Sequence, residues 1–356
     1  MNTSIEILGY AREPGWLPWA VQYFFLIGLS TMAFFLSLPG LVRRLPAWRG
    51  ISRRALLAAL VCGLTAPVAL LADLHQPGRF MNFYLHPNLG SWMAWGSFFI
   101  PLYLVGLFLY AWLCLRPELA ALGRRPGPLA RFYEKAAYGG HDNPQAIRTA
   151  ALIAGLGAAL VLLYTGMEVM VVRARPMWNT PMLPVFFAVT AFAGGLGLIA
   201  LFEALSGQRN AALLLNRWQA RAQLASLGLV ALWLIGGFTG FCEGAAETLA
   251  ATQGSLGWLV TLAWLVGTMM LTFWVANNRP NSLVLSGLLA LHGAWVARWV
   301  IFIGGQSLPK MGAASYSYFV SLTPDSLLGM LGTAGLALVA YIVLTSLLPW
   351  NEQAEA

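Results

Sequence analysis

Apolar residues in this chain neither alternate nor recur every third or fourth position; they come in long, nearly unbroken runs parted by short polar stretches. A hydrocarbon core about 30 Å thick takes about 20 residues of helix to cross. Nine runs have that length: 17–41, 55–74, 92–115, 149–172, 182–205, 224–245, 256–276, 283–303 and 327–348. The pattern predicts an all-α integral membrane protein of about nine transmembrane helices. Connections are short except 116–148, whose prolines, glycines and mixed charge predict a segment lying along the membrane surface. The first sixteen residues lack a basic n-region and a small-residue cleavage site, so no signal peptide is expected.

Composition narrows the class. The chain is 59% hydrophobic and 10% charged, with a mean hydropathy of +0.69, whereas soluble domains run to about 25% charged. A net charge of +8 would suggest nucleic acid in a soluble protein, but in a membrane chain Lys and Arg collect in cytoplasmic loops. With the N-terminus outside, the inner loops hold fifteen of them, including Arg43, Arg44, Arg49, Arg53 and Arg54. The outer segments hold Arg12, Arg79, Arg173, Arg175 and Lys310. This bias predicts an outer N-terminus and an inner C-terminus. Cys62, Cys114 and Cys242 lie in apolar runs with no CxxC spacing, as packing residues do.

Candidate chemistry gathers at the predicted outer ends of the helices. The stretch LLADLHQPGRFMNFYLHPNLGSWMAWGSFF, residues 70–99, closes one span, crosses a loop carrying Asp73, His75, Arg79 and His86, and opens the next on Trp92 and Trp95. In the fourth run Tyr164 and Glu168 are four apart and share a helical face near its outer end. Beyond it follow Arg173, Arg175, Trp178 and Asn179, while Glu243 and Glu247 stand at the outer end of the sixth run and Arg298 near that of the eighth. Asp73 and Arg79 read equally as a capped helix end with a surface pair, and the tryptophans as interfacial anchors. Glu168 and Arg298 are harder to read that way: a charge inside a span costs roughly 2.5 to 3.5 kcal/mol and needs a partner or water. They are expected to pair with one another, or with Arg173 and Glu243. His292 and Glu203 are candidates for a proton route or for ordinary packing. Four histidines, one well inside a span, do not suit a bis-histidine haem. With no cysteine cluster, P-loop or Rossmann glycine motif, no redox centre is expected in the chain itself, neither haem nor iron–sulfur.

The series LLADLHQPGRF, SWMAWGSFF and YTGMEVMVVRARPMWNTPMLPVFF, followed by the small-residue run AFAGGLGL, resembles the membrane-subunit family of polysulfide reductase and the nitrite-reductase-associated NrfD proteins. The resemblance is strongest over residues 16–202; the later GGQSLPK and the ninth span are similar to the tetrathionate reductase branch of that family. It implies two four-helix bundles plus an additional C-terminal helix, divided here as 1–206, with the quinone site, and 207–356. It further implies a haem-free subunit in a bacterial inner membrane, with a periplasmic N-terminus and a cytoplasmic C-terminus. Such a subunit binds quinol, as menaquinone or ubiquinone, and passes electrons to a four-cluster iron–sulfur subunit that serves a molybdopterin catalytic subunit reducing a sulfur compound. Carried over by motif, Tyr164 is expected to hydrogen-bond a quinone oxygen, with Asp73 and Arg79 at the acidic and basic positions of the second-span motif. This chain has His75 and Gln76 where the commoner form reads Gly and Arg, and Trp16, Trp19 and Gln22 where some relatives place a histidine. Tyr164, His75, Arg79, Trp92, Arg173 and Gln22 are thus the expected cofactor contacts, and Asp73 and Glu168 the expected proton acceptors. Two other classes fit the same runs: a secondary transporter with a midplane site between inverted repeats, and an anchor with no quinone site.

Overall fold

The computed structural model describes residues 15–74, 76–207, 211–308 and 318–350. Among them nine helices are long and apolar enough to cross a membrane, and no residue is in a strand. The spans are α1 (Pro18–Leu41), α2 (Arg49–Asp73), α3 (Trp92–Gly123), α4 (Pro144–Met170), α5 (Leu183–Leu205), α6 (Ala212–Phe238), α7 (Leu256–Asn278), α8 (Leu283–Trp299) and α9 (Leu327–Leu347). Because successive spans alternate direction, the starts of α1, α3, α5, α7 and α9 share one face, the near face, with the ends of the even-numbered helices.

Local chemistry sets the boundaries. Pro18 and Pro144 open α1 and α4, where a missing N–H costs nothing, and the Asn143 side chain caps α4 by accepting from the Ala146 amide at 3.0 Å. Several helices outrun their apolar stretch. α2 begins at Arg49 and α6 at Ala212, taking polar turns into the helix that the hydrophobic pattern alone excludes. At its other end α6 stops at Phe238, earlier than the expected 245. The chain turns at Gly240, whose φ of +74° suits glycine, and starts a separate short helix at Glu243–Thr252.

α1 packs chiefly on α2, α3 on α4, α5 on α8 and α6 on α7, with α1 also against α5. Small residues allow two of these approaches. A Cβ at Gly157 of α4 would lie 2.6 Å from the Tyr103 backbone of α3, and one at Gly197 of α5 would lie 2.8 Å from the Gly287 carbonyl of α8. α9 lies against α2 and α1. On the far face, buried Arg53 grips Glu118 through two bonds of 2.5 and 2.8 Å and also bonds the Pro349 carbonyl. Arg54 donates to the Trp350 carbonyl at 3.1 Å and lies 3.6 Å from Glu203. Glu203 is thus paired on the far face. His292 is exposed on the outside of α8, where its Nε2 accepts from Trp264 Nε1 at 3.0 Å.

Candidate functional site

A cavity of about 390 Å³ opens at the near-face end of α1 to α4. Two prolines shape it: Pro67 in α2 and Pro101 in α3 both line the space, and each deletes a backbone hydrogen bond in its own helix. Trp16 and Phe24 form an aromatic wall, their rings 5.7 Å apart and nearly parallel. Phe80, Phe83 and Tyr84 of the α2–α3 loop close the other side.

Five acidic or phenolic side chains line this space: Tyr84 from the loop, and Asp73, Tyr23, Tyr164 and Glu168 from the helices. Helical spacing puts Tyr164 and Glu168 on one face of α4, and both are buried. Tyr164 is set by its neighbour across the cavity, since a Cβ at Gly96 of α3 would collide with the phenol ring. Tyr23, Tyr164 and Glu168 interact electrostatically, and Asp73 with Glu168. Asp73 also accepts from the Leu17 amide at 3.3 Å, which ties the end of α2 to the start of α1. Among the described residues the Tyr23 hydroxyl and Glu168 Oε2 have no hydrogen-bond partner although both are buried. An unmet buried polar group costs about 1–3 kcal/mol. The cavity is therefore suited to a ligand that brings its own donors and acceptors on an otherwise apolar, flat body.

A distant residue holds the aromatic wall. Between α8 and residue 305 the helix loosens into a π-turn, Val300–Gly304, and the next short turn carries Gln306. Gln306 Oε1 accepts from the Trp16 amide at 3.0 Å, and its Nε2 donates to the Trp16 carbonyl at 2.7 Å. Trp178 stacks on Trp16 at 5.3 Å and donates to the Ile301 carbonyl at 2.6 Å, filling an acceptor in the π-turn. Arg175 lies over Trp178 and donates to the Gln306 carbonyl at 3.0 Å. Partial burial draws this guanidinium below its ordinary pKa.

Of the residues expected from sequence, Asp73, Tyr164 and Glu168 converge on the cavity, and His75 lies outside the described residues. Arg79 and Arg173 are exposed on the near face, and Trp92 is half-buried beside the cavity without lining it. Gln22 points elsewhere: its amide donates to Thr333 Oγ1 at 2.8 Å and the Met330 carbonyl at 3.1 Å, and it accepts from Trp295 Nε1 at 2.9 Å. The cavity-facing residue is its neighbour Tyr23. Arg298 does not pair with Glu168. It is buried among α5 groups, bonding Thr190 and the Phe187 carbonyl and lying 4.5 Å over the Phe187 ring. Glu243 is exposed on its short helix. Tyr23, Trp16 and Gln306 are the functional candidates that motif reading passes over or leaves without a role.

A cavity bounded by the second-span motif and Tyr164, with Trp178 stacked behind its Trp16 wall, is where the motifs of the resemblance meet, and comparison with known proteins agrees. Residues 11–310 match the family model for polysulphide reductase, NrfD. The chain belongs to the NrfD family. It is 33% identical to a tetrathionate reductase subunit of Salmonella typhimurium over 345 residues, 95% of this chain and 94% of the relative. It is similar, at 25% over 309 residues, to a polysulfide reductase polypeptide of Wolinella succinogenes, covering 80% of this chain and 92% of that one. A selenate reductase subunit of Mesobacillus selenatarsenatis is 22% identical over 386 residues, covering 100% of this chain and 91% of the relative. As an NrfD protein the chain is a multi-pass membrane protein, and the cavity described above falls inside the family-matched region.

Proposed function

We propose that this NrfD protein is the quinol-oxidising membrane subunit of a respiratory reductase complex, with the 390 Å³ cavity as its quinol site. The observation that carries the reading is the pair of buried, unpartnered oxygens, on Tyr23 and Glu168, facing an aromatic-walled space at the membrane boundary. A quinol held there supplies two electrons and two protons on oxidation. Tyr164 and Tyr23 hold the ring oxygens by hydrogen bonds, and Trp16 and Phe24 give the ring an aromatic wall to lie against. Glu168 takes a proton from the nearer oxygen and Asp73 a second at the cavity mouth, the two carboxylates being coupled electrostatically. Gln306 keeps Trp16 in place.

Several features support the arrangement around the site. Glu168 is two residues from the end of α4 and Asp73 is the last residue of α2, so the acids sit at the near face and not at the midplane expected of a transporter site. The far face carries Arg43, Arg44, Arg49, Arg124, Arg125, Arg131 and Lys135, which supports a cytoplasmic assignment for it and a periplasmic one for the near face of a bacterial inner membrane. Exposed Arg79 and Arg173 lie on the near face, where an iron–sulfur subunit would accept the electrons and pass them to a molybdopterin subunit reducing tetrathionate, polysulfide or a related compound. The deciding experiment compares quinol-driven substrate reduction with reduction driven by an artificial donor in the assembled complex. Tyr164→Phe lowers the first and leaves the second intact under this reading; equal loss of both means that assembly, not quinol chemistry, depends on the residue.

A further inference from the structure

A second and larger cavity, about 810 Å³, opens at the near-face end of α5, α6, α7 and α8. Val230, Leu234, Leu262, Leu265, Val300 and Ile301 represent its lining, which includes no Asp, Glu, Lys, Arg or His. Most of its hydroxyls are engaged; Thr180 Oγ1 only accepts, from the Met182 amide and Cys242 Sγ, each at 3.5 Å, and Gln253 brings a side-chain amide. Thr248 donates to the Gly244 carbonyl at 2.7 Å, Thr252 to the Thr248 carbonyl at 2.8 Å and Thr261 to the Gly257 carbonyl at 2.8 Å. Ser255 Oγ accepts from the Trp258 amide at 3.4 Å. The rim faces the bilayer through Phe238, Leu256 and Leu259, which are 78%, 73% and 64% exposed.

These observations select the occupant. Ordered water needs two to four polar partners, and three of the four wall threonines spend their hydroxyls on their own helices. An empty space of this size forfeits dispersion contacts along all its walls. A second quinol ring would find no ionisable side chain here to take its protons. Hydrocarbon fits, and the opening at the rim joins the cavity to the acyl chains of the membrane. We infer that this cavity holds an acyl chain of a bilayer phospholipid as a structural lipid. The acyl group packs against Val300 and Ile301 of the π-turn, and so stiffens the segment whose Gln306 clasps Trp16. The inference does not depend on what occupies the first cavity.

The test uses the assembled complex in detergent, exchanged with phosphatidylethanolamine carrying a diazirine on one acyl chain, then irradiated and digested. Labelling is expected on peptides 229–238 and 256–265, competed by unmodified phosphatidylethanolamine and indifferent to excess short-chain quinone. Filling the space with Leu262→Trp, and separately with Val230→Phe, is expected to lower that labelling about tenfold. Labelling of lipid-facing Trp274 should stay constant, which a misfolded variant would not allow. Undiminished labelling in both filled variants overturns the inference, and so does displacement of the lipid by the quinone, which would give the cavity to a ring.

Discussion

The two near-face cavities are built alike, each among four helices, and differ in what their walls still have to offer. The smaller one has Asp73, Tyr23, Tyr164 and Glu168, with two buried oxygens unpartnered among the described residues. The larger one has no ionisable side chain, and three of its four threonines bond their own helices. Size therefore does not mark the proposed quinol site: the space more than twice as large has no ionisable group with which to take a proton. What marks it is buried polarity left unspent inside a membrane, where such groups are costly and persist for a use.

The largest expected effect comes from removing the carboxylate. Glu168→Gln should lower quinol-dependent turnover about a hundredfold, the low end of what general bases contribute, while Thr252→Val in the other cavity leaves it unchanged. Steady-state rates in membranes, with an artificial donor as the control, decide the matter; similar losses in both variants would dissolve the distinction between the cavities. Next come the phenols. Tyr23→Phe and Tyr164→Phe each remove one hydrogen bond worth about 1 kcal/mol, so quinol-dependent kcat/KM should fall roughly five- to tenfold. Gln306→Ala sharpens the comparison by acting from the side the cavities share. It frees Trp16 without touching a ligand, and is expected to raise the KM for quinol a few-fold with little change in kcat. The smallest effect is reserved for Val230→Phe, which should leave quinol kinetics within about twofold of native; a large loss would place quinol in the second cavity.

Much of the architecture is readable from the hydrophobic runs, since only a helix satisfies its own backbone in lipid. Among the boundaries they misplace, the start of α6 shows polar residues continuing a helix past the apolar stretch: Gln219 and Gln223 are buried, and Asn216 bonds the Pro280 carbonyl. Within the site, Tyr164 and Glu168 are legible because a spacing of four is one turn of helix. Tyr23 is not, because one residue turns a helix by about 100°. The more polar Gln22 draws attention while facing α8 and α9. No local signal tells which carboxylate meets which arginine, and the partners of Arg298 turn out to be Thr190 and a backbone carbonyl in place of the expected acids. Gln306 lies 290 residues from the tryptophan it holds, a distance over which one sequence gives no hint of contact.

The far-face arginines have a consequence for biogenesis. Arg53 and Arg54 enter the membrane with the second span, yet the carbonyls of Pro349 and Trp350 that bind them are synthesised 296 residues later. Glu118 and then Glu203 are available to those two guanidiniums earlier, but their set of partners is complete only when the segment after α9 arrives. A chain cut before Pro349 would leave both guanidiniums short of a partner, so the closure of the far face is the last step the sequence permits.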